Sequence, residues 1–69
     1  MTAKEMFEKL GYKLINNKNI VYKSTHFTGR ITHIAFFDDK QILITQSIGL
    51  EELQAINKQV EELDWNKEG

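Results

Sequence analysis

The 69-residue chain has no cysteine, no proline and no long apolar run. Without cysteine, neither a disulfide nor a thiolate metal site can staple the fold, and two histidines cannot complete a zinc site unaided. No stretch approaches the roughly 18–20 apolar residues that cross a bilayer. Met1-Thr-Ala-Lys-Glu5 is not followed by the apolar segment of a secretory signal. A cytoplasmic protein with no membrane partner is expected. A glycine-rich phosphate loop, a His-x-x-Glu metal pair and a nucleophile with a readable base are all missing. The expectation is therefore a non-enzyme without cofactor, metal or small-molecule substrate. There is no internal repeat, low-complexity tract or linker, so residues 1–69 read as one domain, with 66–69 a frayed tail.

A chain this short buries only about 60% of the surface its unfolded form exposes. Packing alone must hold it, at roughly 0.05–0.15 kcal/mol per residue, and self-association would help. The net charge of −1 is unevenly spread. Residues 1–11 balance, residues 12–47 carry five basic against two acidic side chains, and residues 48–69 carry two against six. The expected sheet is basic and the last helix acidic, a split able to steer a partner.

The organising stretch is Gly49 to Leu63, where Leu53, Ile56, Val60 and Leu63 recur at spacings of three and four. That spacing puts them on one stripe of a helix, which would form the apolar lid and the stability centre of the domain. Gly49 serves as N-cap, and Glu51 and Glu52 suit the positive end of the dipole. With Asp64 just past the end, Trp65 should fold back over Val60. The other end of the chain repeats the device. Thr2 and Glu5 fit a capping box, Ala3, Met6, Phe7 and Leu10 form a stripe, and Gly11 ends the helix so that Tyr12 packs on Phe7.

Between the helices, Tyr12–Asn16, Ile20–Phe27, Ile31–Phe37 and Gln41–Gln46 read as strands, with a turn at Asn16-Asn17-Lys18-Asn19. Short connections make an antiparallel meander the simplest topology. The fold class is α+β: helix, four-stranded antiparallel meander, helix, with both helices on one face. In the last hairpin, a two-residue loop groups Ile34 and Phe36 with Leu43, and a three-residue loop groups them with Ile42 and Ile44. The second collects four large apolar side chains and is preferred, although the left-handed position then falls near Lys40 instead of a glycine.

Residues 1–12 and 51–65 resemble the two ends of small uncharacterised proteins carried by phages and prophages of Gram-positive bacteria. The middle of the chain has no such match. Family members tend to have Thr where this chain has Gly49, and Gly where it has Asp64. The resemblance implies an accessory gene aimed at host machinery or host defence, and it brings no catalytic motif.

With the helices assigned to one side of the sheet, the other side should present Ile31, His33, Phe37, Leu43 and Thr45, together with Ala35. That semi-apolar surface is expected to bind a protein partner or to pair a homodimer. The alternative is weak nucleic-acid binding through Lys13, Lys23, Arg30 and Tyr22 on the basic sheet. Net charge and the acidic helix favour the protein partner. Asp38-Asp39 reads as a hairpin tip, not as part of an active site with His26 and His33.

Overall fold

A computed structural model of the chain describes residues 1–16, 18–25 and 29–65. The elements run α1 (Ala3–Lys9), β1 (Tyr12–Asn16), β2 (Ile20–Thr25), β3 (Ile31–Phe36), β4 (Ile42–Ile44) and α2 (Leu50–Glu62). The four strands form one antiparallel sheet in the order β1-β2-β3-β4, and both helices lie on one face. The expected fraying of 66–69 and the extension of β2 through Phe27 fall outside the described residues.

Local chemistry starts α1 and stops both helices, whereas the α2 N-cap, Gly49, makes no side-chain capping bond. The Thr2 hydroxyl accepts from the Glu5 amide (3.2 Å), and the Glu5 carboxylate accepts from the Thr2 amide (2.9 Å). The Thr2 amide, and then the Thr2 hydroxyl donating to the same carboxylate at 3.1 Å, hold the Glu5 carboxyl below its usual pKa. A further bond comes from far along the chain. Glu62, in the last turn of α2, accepts from the Ala3 amide at 2.8 Å, which caps α1 and fixes the helices antiparallel. Gly11 (φ 91°) ends α1, and the Tyr12 ring meets Phe7 edge-on at 5.6 Å. At the end of α2, Asp64 takes φ 59°, its amide donates to Glu61, and the Trp65 amide donates to Val60. This is the paired bonding of a Schellman ending. Trp65 is half-buried, 6.1 Å from the Phe36 ring.

The core lies between the sheet and the helices. Phe7 stacks on Tyr22 with centroids 4.0 Å apart and 21° between ring planes, and Phe36 closes on both edge-on. Ile34, Ala55 and Ile56 complete it. The β3–β4 register pairs Ile34 with Ile44, Ala35 with Leu43 and Phe36 with Ile42. The three-residue loop Asp38-Asp39-Lys40 is therefore the one formed, and Lys40 takes the left-handed position at φ 65°. β4 is shorter than the expected Gln41–Gln46. The Thr45 amide still donates to the His33 carbonyl, but the Thr45 hydroxyl, not a carbonyl, receives the His33 amide at 2.9 Å.

One expectation about α2 is corrected. Leu53 is 44% exposed, and the buried residues of the helix are Ala55, Ile56 and Gln59, flanked by half-buried Glu52 and Leu63. The helix is rotated from the purely apolar stripe, and the cause is polar. The Tyr22 hydroxyl is buried and donates to the Gln59 side-chain carbonyl at 2.8 Å. A buried hydroxyl without a partner costs about 1–3 kcal/mol, so a glutamine facing inward is favoured and Leu53 turns out. Ile56→Ala should accordingly lower stability by about 2–5 kcal/mol, and Leu53→Ala by under about 1 kcal/mol. Urea midpoints of the two variants check this ranking.

Burial also tunes the tyrosines, and the sequence has only two. Burial, then Glu62 and Glu8, push the Tyr22 hydroxyl up to about 12. Burial and Glu52 raise Tyr12, partly eased by Thr32, although no hydrogen bond of ordinary geometry reaches the buried Tyr12 hydroxyl among the described residues. For an acid whose pKa is higher folded than unfolded, the neutral form is the one the fold favours. The stability is complete below the unfolded value near 10 and is lost as pH rises from there towards about 12. Alkaline titration should therefore show tyrosinate absorbance appearing together with loss of far-ultraviolet dichroism. Tyrosinate forming in a still-folded protein would contradict the burial.

Candidate functional site

Strand alternation gives the sheet two different faces. Tyr12, Leu14, Tyr22, Ser24, Ile34 and Phe36 point towards the helices. The opposite face is covered by no element among the described residues. Its apolar members are Ile15 (54% exposed), Leu43 (51%) and Ile31 (43%), with half-buried Val21 and the small Ala35 between them. Val21, Ala35 and Leu43 lie side by side across β2, β3 and β4. The register slips between Leu14 and Asn16, a bulge that leaves Ile15 without an opposite number. Ile15 then joins Gly11, Lys13 and Lys23 around an open depression of about 420 Å³.

The polar part of this face forms a second row. Lys13 sits directly opposite Lys23, Lys23 opposite His33, and His33 is bonded to Thr45. Like charges directly opposed across a ladder destabilise a sheet by a fraction of a kcal/mol. No acidic side chain occurs at the positions of this row to offset them.

The expected site residues divide accordingly. Ile31, His33, Leu43 and Thr45 lie on the open face, and Thr45 has its hydroxyl committed to the β3 backbone. Phe37 is half-buried at the hairpin end of the sheet, where it lines a depression with Phe36, Leu63 and Trp65. Of the residues expected to hold nucleic acid, Lys13 and Lys23 are together. Exposed Arg30 is bonded to Gln46 at 2.7 Å. Tyr22 is corrected: it is 2% exposed, on the helix side of the sheet, stacked on Phe7 and bonded to Gln59, so no base can reach it. Ile15 and Val21 were missed as members of the open face. The signal for Val21 was its two-residue spacing from Lys23, whereas the bulge at Ile15 has no local signature in Leu14-Ile-Asn16.

Among the described residues no three His, Cys, Asp or Glu side chains are grouped to hold a metal ion. No described helix is long and apolar enough to cross a membrane. The class of protein the fold defines is a small α+β domain in which one sheet face is covered by two helices and the other lies open. Comparison with family models gives no match, and comparisons with curated proteins and with solved structures give no significant match.

The opposed lysines generate a direct expectation. Lys13→Glu replaces a repulsive pair with an attractive one and should raise stability by about 0.2–1 kcal/mol. The gain should shrink as salt is added. Thermal melts at low and high ionic strength check both the sign and the salt dependence.

Proposed function

We propose that the protein is a non-catalytic binding module whose open sheet face holds a protein partner. The observation behind this reading is the exposure of Ile15, Ile31 and Leu43 on a face that no described element covers. Apolar surface left open on one side of a small domain is worth roughly 25 cal/mol per Å² when a partner excludes water from it. The flanking lysines orient such a partner, favouring a surface with acidic groups around an apolar centre. In keeping with the resemblance of residues 1–12 and 51–65, the setting proposed is a phage or prophage accessory protein acting in the cytoplasm on host machinery or host defence.

The test uses capture from host extract with wild type, Ile15→Glu and Asn57→Glu as baits. Ile15 and the exposed Asn57 belong to different layers of the domain. A partner retained by Asn57→Glu and lost with Ile15→Glu supports the reading, because burying an unpaired carboxylate in a dry contact costs several kcal/mol. Equal capture by both baits contradicts it.

A second reading has its own observation, the Lys13–Lys23–His33 row. Two opposed lysines with an imidazole on the next strand suit a chain of phosphates, and single-stranded nucleic acid is the ligand of that chemistry. With Tyr22 buried, stacking is not available from that residue, so binding would be weak and steeply salt-dependent. Fluorescence anisotropy of a labelled oligonucleotide at low salt separates the two readings. Binding abolished by Lys23→Glu favours this one.

A further inference from the structure

The outer edge of β4 is the second feature the packing leaves open. It has no neighbouring strand among the described residues. Its side chains are exposed on both faces of the sheet: Ile42 37%, Leu43 51% and Ile44 36%. Ile42 and Ile44 point to the helix side, yet α2 does not cover them. Glu62 ties α2 to α1. At ~100° per residue, Leu53 lies on the flank of α2 opposite Glu62, and so on the side away from α1. Contacts of α1 with β1 place that flank towards the β4 end of the sheet.

The backbone of this edge can be assigned group by group. The Phe37 amide donates to Gln41, and the Thr45 amide donates to His33. Positions 41, 43 and 45 therefore turn their backbone groups towards β3. Antiparallel alternation turns the N–H and C=O of Ile42 and Ile44 outward. Edges of this kind are commonly blunted by lysine or proline. Residues 41–48 contain neither, and no charged side chain at all, whereas the opposite edge strand β1 carries Lys13.

We propose that the occupant of this edge is β4 of a second copy, paired antiparallel about a two-fold axis through Leu43. In that register Ile42 of each copy exchanges hydrogen bonds with Ile44 of the other, which satisfies all the outward groups of the strand. Leu43 meets Leu43 as the close, non-hydrogen-bonded pair on the axis. A two-fold contact sets every group near the axis against its own copy. An edge free of charge meets that condition, and the β1 edge, where Lys13 faces its own copy, does not. On the helix side, Ile42, Ile44 and Leu53 of the two copies close over one another, giving a continuous eight-stranded sheet from the two four-stranded ones. The contact shares only Leu43 with the open face, and Ile15→Glu, which leaves β4 untouched, distinguishes it from partner binding there.

A chain without cysteine permits a position-specific test. Non-hydrogen-bonded antiparallel partners have Cα atoms about 4.5 Å apart, within the roughly 4.4–6.8 Å that a disulfide spans. Leu43→Cys should be trapped as a covalent dimer under mild oxidation, and Lys23→Cys should remain monomeric. Leu43→Lys should sediment as a monomer at concentrations where wild type dimerises, with an unchanged dichroism spectrum. Should that variant fail to fold, the cysteine pair still decides. Cross-linking through Lys23→Cys but not Leu43→Cys means face-to-face association and overturns the proposal. A wild type that is monomeric throughout, with no trapping at Leu43, overturns it as well, and leaves a strand from another protein as the occupant of the edge.

Discussion

The contact on which the rest depends is the one around the Tyr22 side chain. Its ring carries Phe7 from α1 as a stack at 4.0 Å, and its hydroxyl is held by Gln59 from α2 at 2.8 Å. One residue in the second strand thus fixes the position of both helices. The stack supplies apolar burial and an aromatic pairing worth about 0.5–1.5 kcal/mol beyond it. The hydrogen bond supplies direction, because a buried hydroxyl accepts few arrangements of its partner. Glu62 on the Ala3 amide then locks the helices to each other.

That arrangement has a cost in coverage. Two helices of 7 and 13 residues, drawn together over the centre of the sheet, have no surface left for its far side or for β4. The open face and the open edge have the same origin. Here Ile15, Ile31 and Leu43 meet solvent on the face, and Ile42 and Ile44 do so at the edge. Both features mark where an outside surface has something to bury, and they call for different geometries: a flat apolar contact in one case and a paired strand in the other.

What could be read from the sequence was set by local chemistry. The capping box at Thr2 and Glu5, the left-handed Gly11 and the Asp64-Trp65 ending each involve residues within a few positions, and each forms as their side chains dictate. The β3–β4 register was also legible, because only one loop length gathers Ile34, Phe36, Ile42 and Ile44 on one face. Beyond that range the sequence misled. Leu53 has the right spacing for the core, but a partner 37 residues upstream, Tyr22, brings Gln59 inside instead. Aromatics on a basic strand suggested a nucleic-acid surface, and strand alternation with the Phe7 stack places Tyr22 in the core. The confrontation of Lys13 with Lys23 depends on the pairing of β1 with β2, and the exposure of Ile15 depends on a bulge. Neither is written in any short stretch.

Partner binding at the open face rests on a sheet whose core is dry beneath the helices and whose opposite face meets solvent, the β4 edge being a separate feature. Methyl relaxation by a soluble paramagnetic agent, measured by NMR on dilute protein, addresses that statement residue by residue. The methyls of Ile15, Ile31 and Leu43 should relax strongly, and those of Ile34 and Ile56 should be shielded. Shielding of Ile15 and Leu43 to the same degree as Ile34 in the monomer would mean that the face is already covered, and the account would fail at its centre.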